Sequence, residues 1–224
     1  IVLLVAVASC NPMFKNGAMD MTLASKFDSA IEDNNTYSAV VGRQGSCSTD
    51  NFPDSASVLD RINAYEKKWM SYIDVPVLSR QNRLFIEGTY AMTGLGSRRF
   101  FSVNYMQDMS EHINITFGEG LDTGKPVEGT YPVIINQQNA DTYDLVVGET
   151  VSIDKLVDKD GKPVTFTVVG IFEPKDTTDI YWKETPVDFD KMIFTDQASF
   201  DATVANYGVL TIYYACLLYT SDAA

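Results

Sequence analysis

Apolar and polar side chains alternate between Leu145 and Pro174 in a way that predicts two strands joined by a turn. Val147, Val151 and Ile153 fall on one face of the first segment, and Val164, Phe166 and Val168 fall on one face of the second. The intervening residues 158–163 are mostly charged and contain an Asp-Gly pair, which supplies the positive φ of a tight turn. The pattern therefore predicts a hairpin with one buried face.

Apolar residues at helical spacing predict helices elsewhere in the chain. An amphipathic helix is expected over residues 13–31, and a second helix begins near Asp54, Ser55 or Ser57, any of which is a suitable N-cap. The apolar stripe of this second helix consists of Val58, Leu59, Ile62, Tyr65, Trp69 and Ile73. A short third helix is expected through Phe200, capped by Thr195 or Asp196.

Several short runs rich in β-forming residues predict further strands. They cover residues 37–41, 75–78, 84–90, 99–105, 191–194 and 209–214, and a polar loop is expected over residues 42–54. The order of strands and helices along the chain argues for an α+β fold, since a doubly wound parallel fold requires regular β-α alternation.

Composition limits the classes of partner. The 224 residues are 45% hydrophobic and 21% charged, which suits a globular chain with one or two cores. The chain carries 17 Lys and Arg against 30 Asp and Glu, for a net charge of −13. A surface of this sign repels phosphate backbones and anionic lipid headgroups, so nucleic acid is excluded as an expected partner.

The sequence contains little that suggests catalysis. His112 is the only histidine, and its position after a short helix or turn favours a hydrogen-bonded structural role over that of a base. There is no GxxxxGK[ST] phosphate loop, no third glycine after Gly94-Leu95-Gly96, and no Cys or His spacing typical of zinc. We therefore expect no catalytic residue, no cofactor and no metal site.

The sequence also leads to predictions for the two ends of the chain. The apolar run Ile1–Ala8 is too short to span a bilayer, and we interpret residues 1–10 as the outer end of a transmembrane helix, followed by a stalk helix over 11–35. The alternative is that Val7-Ala8-Ser9-Cys10 is a lipobox-like motif and Cys10 a lipid anchor. Residues 215–224 look like a translated sequencing adapter and are expected to be artefactual.

One aromatic pair is a candidate for partner contact. Tyr181 and Trp182 follow a polar loop, and exposed aromatic side chains in a loop serve as anchors in protein interfaces. Core packing of Trp182 is the competing interpretation.

The hairpin segments also resemble a family pattern. "LVVGETVSI" followed by "VTFTVVGIFEP" resembles a hairpin in the extracytoplasmic domain of MacB/FtsX-type ABC transporter permeases. Residues 108–120, and residues 131–136 leading into 139–145, are similar to the family segments that precede this hairpin, in the same order.

This resemblance implies an organisation and a function. The family domain has a mixed α/β Porter-like subdomain, here residues 36–105 plus 192–214, with an inserted β-rich Sabre-like subdomain, here residues 106–191. It implies a non-enzymatic domain on the extracytoplasmic face of a bacterial cell membrane, in a permease dimer that works with a separate ATP-binding cassette subunit. Residues 42–54 and 177–182 depart from MacB itself and are more like large Gram-positive permeases, so MacB's tripartite efflux partners do not carry over.

The resemblance further implies that the domain couples ATP-driven motion of membrane helices to an outer-face partner by mechanotransmission, and no residue selects a cargo. The alternative function is a surface lipoprotein, anchored at Cys10, that binds a peptide or glycan.

Overall fold

The computed structural model describes residues 21, 22, 25, 39–48, 54–72, 77–86, 90–93, 99–157, 161–182, 189–204 and 209–218. Its strands are β1 (Ala39–Ser48), β2 (Val77–Ile86), β3 (Tyr90–Thr93), β4 (Arg99–Met106), β5 (Ile113–Gly118), β6 (Tyr131–Asn136), β7 (Thr150–Val157), β8 (Pro163–Pro174), β9 (Met192–Phe194) and β10 (Val209–Leu218). Its longer helices are α1 (Ser55–Met70), α2 (Gln137–Tyr143) and α3 (Gln197–Val204). Met109–Glu111 and Ile180–Trp182 are single 3-10 turns.

Side-chain caps fix where the helices begin. The Asp54 carboxylate accepts a hydrogen bond from the Ser57 backbone N–H at 2.6 Å, and the Asp196 carboxylate accepts one from the Ser199 N–H at 2.9 Å. Each bond satisfies an N–H that the first turn of a helix leaves without a partner. The predicted caps of α1 and α3 are therefore confirmed at Asp54 and Asp196.

The described strands form one mixed sheet that closes on itself. Its order is β1-β10-β2-β4-β3-β7-β8-β6-β9, and β9 also pairs with β4, so that β4, β3, β7, β8, β6 and β9 make a hydrogen-bonded ring. The pairs β6–β8 and β4–β9 are parallel, and the other pairs are antiparallel. Strands β2, β10 and β1 extend from the ring as an antiparallel flank, and β5 pairs with β8. The α+β class is confirmed.

Two apolar clusters pack against this sheet. The larger joins ring strands to all three helices through Val58 of α1, Ala140 of α2 and Phe200 of α3. The smaller is aromatic, and its rings meet edge to face: Phe189 lies 5.3 Å from Phe172 and 5.1 Å from Trp182 between centroids. Such geometry adds to the free energy gained by burying the rings themselves.

The predicted hairpin is present as β7 and β8, with Gly161 at φ +78° in the connection. Other strand boundaries differ from the prediction. The prediction of a loop over residues 42–54 is wrong for residues 42–48, because β1 pairs with β10 over its whole length. The expected break between residues 78 and 84 is also absent, because β2 pairs with β10 on one edge and with β4 on the other.

The predictions for the ends lie largely outside the described residues. Of the expected helix over 13–31, Met21, Thr22 and Ser25 are described, and all three are helical. Residues 215–218 of the expected artefactual tail belong to β10, and Cys10 lies outside the described part. Within that part, no helix combines the length and the apolar character that crossing a bilayer requires.

The predicted division into two subdomains stays a prediction. The pairs β3–β7 and β6–β9 join strands on opposite sides of the predicted boundaries, so the hydrogen-bonded ring runs through both parts.

Candidate functional site

Tyr181 and Trp182 lie in the aromatic cluster, each 2% exposed. The loop before them is held by its own carboxylates: Asp176 accepts from the Thr178 N–H at 2.8 Å, and Asp179 accepts from the Tyr181 N–H at 2.9 Å. These bonds close a tight turn that directs both rings inward. The expectation that the pair is exposed is wrong, and core packing describes both side chains.

His112 belongs to the same cluster. Its Nδ1 lies 2.7 Å from Asp179 Oδ2, and its ring stacks on the Tyr181 ring at 3.8 Å with an interplanar angle of 1°. Asp179 thus binds the histidine with one oxygen and the Tyr181 backbone with the other. The hydrogen-bonded structural role predicted for His112 is confirmed.

The Tyr181 hydroxyl ties this cluster to the end of β4. It donates to the Gln107 carbonyl at 2.6 Å, and the Tyr181 carbonyl accepts from the Gln81 side chain at 2.7 Å. Burial, reinforced by the Asp108 carboxylate, raises the pKa of the Tyr181 phenol far above its usual range. The hydroxyl therefore remains a donor, and the cluster acts as a rigid packing unit.

An open groove of about 650 Å³ lies between the C-terminal half of α1 and strands β2 and β4. The buried Glu66 carboxylate meets the half-exposed Arg80 guanidinium at 2.6 Å on one side. On the other side the Asn82 amide donates to the Gln107 side chain at 2.9 Å, and Asn82 Oδ1 is buried without a partner among the described residues. The groove is polar and offers hydrogen bonds for a ligand.

The sequence did not indicate this groove as a site. Glu66 lies on the polar face of a helix, and Arg80 and Asn82 lie in the polar run that was expected to be a break between strands. Only the packing of α1 beside β2 brings these three side chains together. The sequence feature that could have indicated the groove was the strongly polar stretch from Ser79 to Arg83, because a buried strand rarely contains so many polar residues.

Other chemistry is equally limited in the part of the chain that the structure covers. No group of three or more His, Cys, Asp or Glu side chains there is placed to hold a metal ion. Two carboxylates have lowered pKa values for structural reasons: hydrogen bonds from Ser57 lower the pKa of Asp54, and hydrogen bonds from Thr178 lower that of Asp176. Neither faces a base or a nucleophile in the groove.

Three solved structures are similar to this chain. The first is the periplasmic region of MacB from Actinobacillus actinomycetemcomitans, with 10% identity, a TM-score of 0.37, and coverage of 72% of this chain and 65% of that one. The second is a domain of a putative permease from Porphyromonas gingivalis, with 12% identity, a TM-score of 0.35, and coverage of 69% and 67%. The third is the extracellular domain of the noncanonic ABC-type transporter YknZ from Gram-positive bacteria, with 10% identity, a TM-score of 0.39, and coverage of 83% and 85%.

The three structures come from permeases or transporters, the class of protein that the hairpin motif resembles. This chain spans slightly less than two thirds of the MacB region. Sequence identities of 10–12% with TM-scores below 0.5 do not establish a shared function. No family model matches the sequence, and no curated protein matches it either.

Proposed function

We propose that this chain is the extracytoplasmic domain of an FtsX/MacB-like ABC transporter permease. In this proposal it transmits ATP-driven motion of membrane helices to a partner or cargo at the outer face of a bacterial cell membrane. In this proposal a separate ATP-binding cassette subunit hydrolyses ATP, and the 224 residues of this sequence contain no phosphate loop. The permease works as a dimer.

The observation that carries the proposal is the pairing of β1 with β10. The pairing runs antiparallel from Ser48 opposite Val209 to Arg43 opposite Tyr214, before the residues that are expected to be artefactual. The chain therefore enters the sheet at β1 and leaves it at β10 on the same side. A domain inserted between two neighbouring membrane helices needs this arrangement, because the chain must return to the membrane close to where it left.

The same strands connect the entry point to the rest of the domain. β10 pairs with β2, and β2 pairs with β4, which belongs to the closed ring. A displacement of the β1–β10 pair is thus passed on through backbone hydrogen bonds to the ring. This continuous path supports the proposal that the membrane helices bias the domain between two arrangements.

The first experiment is to recover the uncut reading frame with its neighbouring genes and to express it. We expect membrane helices on both sides of the domain and copurification with an ATP-binding subunit. If the protein is instead a surface lipoprotein anchored at Cys10, it should incorporate a palmitate analogue, and Cys10→Ser should abolish this labelling. Labelling at Cys10 in a reading frame that encodes no flanking membrane helices would overturn the permease proposal.

The second experiment tests the coupling itself. In the full-length permease, with its native cysteines replaced by serine, Arg43→Cys and Tyr214→Cys place two thiols opposite each other on β1 and β10. We expect oxidation to lower cargo-stimulated ATP hydrolysis and reduction to restore it, because the disulfide prevents the two strands from moving apart near the membrane.

The matched control for this disulfide is Ser48→Cys with Val209→Cys, at the opposite end of the same strand pair. This position lies about 17 Å further along β1 at the usual rise per residue. We expect the control disulfide to have a much smaller effect. Equal activity of both oxidised variants and the reduced protein would exclude coupling through this strand pair.

A further inference from the structure

Strand β5 has one paired edge and one free edge among the described residues. β8 pairs with β7 at Thr165–Thr167 and with β5 at Gly170–Pro174. β5 and β7 therefore lie end to end along the same side of β8. The sheet continues outward from β7 to β3, but outward from β5 the described residues contain no further strand.

The free edge presents unpaired backbone groups. At one end of the β5–β8 pair, the His112 carbonyl accepts from the Lys175 N–H at 2.9 Å. Backbone groups in an antiparallel pair point alternately toward and away from the partner strand. Ile113 and Ile115 therefore direct their N–H and C=O groups to the free edge, where another strand can bind them.

Side chains that would block this edge are missing. Natural proteins protect free edges with charged side chains, proline, bulges or short strands, because an open edge recruits further strands. The six residues Ile113–Gly118 include neither a charged residue nor a proline. The one irregularity is a register shift between Ile115 and Phe117, and it leaves Ile113 and Ile115 paired with Pro174 and Phe172.

Exposed apolar side chains lie at the C-terminal end of this strand. Phe117 is 64% exposed and Val146 is 61% exposed. The segment that carries Val146 reaches the end of β5, because a Cβ placed on Gly118 would be 3.0 Å from a methyl group of Val147. Large exposed apolar groups beside an open strand edge are typical of a surface that a partner covers.

Two acidic residues meet β8 side by side near this end of β5. The Glu119 N–H donates to the Val169 carbonyl, and the N–H of the adjacent Val168 donates to the Glu149 carbonyl, both at 2.9 Å. Glu149 accepts from the Val146 N–H at 3.2 Å, and Glu119 directly follows Gly118. With a net charge of −13 on the whole chain, the edge attracts basic side chains.

We propose that the free edge of β5 binds an extended, basic segment of a partner protein by β-strand addition. In this complex an apolar side chain of the segment packs on Phe117 and Val146, and basic side chains of the segment meet Glu119 and Glu149. Backbone hydrogen bonds to Ile113 and Ile115 supply affinity, and the apolar and acidic surroundings supply specificity. The site does not depend on the permease assignment and would stand if that assignment failed.

A second copy of this chain is a less suitable occupant. Pairing two β5 edges would bring the same group of carboxylates together from both copies, and each copy carries a charge of −13. Like charges of this size oppose association.

The test uses a fluorescently labelled peptide of alternating lysine and valine, seven residues long, with binding to the chain followed by anisotropy. The matched peptide has the same side chains but is N-methylated at every internal amide, so it cannot donate backbone hydrogen bonds. We expect the unmodified peptide to bind and the methylated peptide to bind at least about tenfold more weakly.

Protein variants locate the binding. Phe117→Ser is expected to weaken binding about tenfold, and Val127→Ser, at another apolar residue that is 52% exposed, to leave it unchanged. Circular dichroism checks that each variant is folded, and Val146→Ser replaces Phe117→Ser if that protein is unfolded.

Several results would overturn the proposal. Equal binding of the two peptides, or equal binding to Phe117→Ser, would mean that the chain attracts any cation. Absence of binding up to about 1 mM peptide would mean that the edge is closed. Sedimentation that reveals a dimer of the free chain, dissociated by Phe117→Ser, would assign the edge to a second copy.

Discussion

At Gly170 the absence of a side chain allows two segments of backbone to touch. A Cβ at this position would overlap the carbonyl oxygen of Glu119, where the chain leaving β5 passes over β8. Gly118, at φ +80°, meets the Val169 carbonyl in the same way from the other side. The glycine of the "VVGIF" motif therefore has a structural reason, which is the close crossing of β8 by the chain after β5.

Gly170→Ala should lower the free energy of unfolding by about 3 kcal/mol or more, because the atom it meets is backbone that has little room to move. The control is Gly120→Ala, whose added methyl would lie 4.0 Å from the nearest atom, Ile115 Cγ1. That substitution should change stability by no more than about 0.5 kcal/mol. Urea denaturation of the two variants would measure both effects, and equal stabilities would contradict the crossing.

Trp182 offers a second prediction. Its side chain is buried, but its indole N–H has no hydrogen-bond partner among the described residues. Trp182→Phe removes this unsatisfied donor and keeps most of the apolar contact, so it should cost no more than about 1 kcal/mol. Trp182→Ala leaves a large cavity and should cost about 3–5 kcal/mol.

Far-UV circular dichroism in urea would measure both Trp182 variants without relying on tryptophan fluorescence. If Trp182→Phe were as unstable as Trp182→Ala, the indole N–H would have a partner of its own.

At the scale of elements, a buried contact holds α1 against α3. The carboxylate of Asp201 in α3 accepts from the Ser55 backbone N–H at 2.9 Å and from the Ser55 hydroxyl at 3.0 Å, at the first residue of α1. Burial raises the pKa of the Asp201 carboxyl, in spite of these two bonds, and the Asp54 and Asp196 carboxylates raise it further.

A raised pKa in the folded state means that the folded protein holds this proton more tightly than the unfolded chain. This tighter proton binding stabilises the folded protein fully at pH values below about 3.9, the pKa of an aspartate in the unfolded chain. The stabilisation is lost as the pH rises through the higher pKa of Asp201 in the folded state. Asp201→Asn cannot lose a proton. Relative to the wild type, it should therefore become more stable as the pH is raised from acid to neutral.

Urea denaturation of wild type and Asp201→Asn across this pH range would measure the trend. Asp176→Asn is the matched control, because hydrogen bonds from Thr178 lower the pKa of that carboxyl and give the opposite sign. If the free energies of unfolding of Asp201→Asn and wild type differed by the same amount at every pH, the result would contradict a raised pKa at Asp201.

At the scale of the whole molecule, β9 closes the sheet. It is three residues long, and its Ile193 is fully buried between β4 and β6. Thr195, directly after it, donates from its backbone to Asn104 at 3.0 Å and from its hydroxyl to Pro132 at 2.7 Å. One short strand thus joins the two predicted subdomains.

Ile193→Ala should lower the free energy of unfolding by about 2–5 kcal/mol. Because the ring runs through both predicted subdomains, the transition should remain single, with fluorescence and circular dichroism changing together. Val127→Ser, an exposed site, is the control and should have little effect. Two separate transitions in the wild type would mean that the predicted subdomains unfold independently.

The candidate sites were less predictable than the fold. Tyr181 and Trp182 follow a polar loop, and sequence alone left open whether they face solvent or the core. The burial was decided by Asp176 and Asp179, which close the turn, and by the ring of His112 stacked on Tyr181. The groove beside α1 left only the polar stretch from Ser79 to Arg83 as a signal, because Glu66 and Arg80 come together only after α1 packs on β2.

The sequence by itself determined what depends on short distances along the chain. Alternating side chains predicted the β7–β8 hairpin, and caps that reach three residues forward predicted where α1 and α3 begin. Tertiary structure alone decided the extent of β1 over polar residues, the closure of the ring by β9, and the free edge of β5. The physical reason is that these features depend on pairing between segments far apart in the chain. Backbone groups are the same in every residue, so the partner is selected by side chains that meet only in the folded core, and the pattern within one segment does not show it.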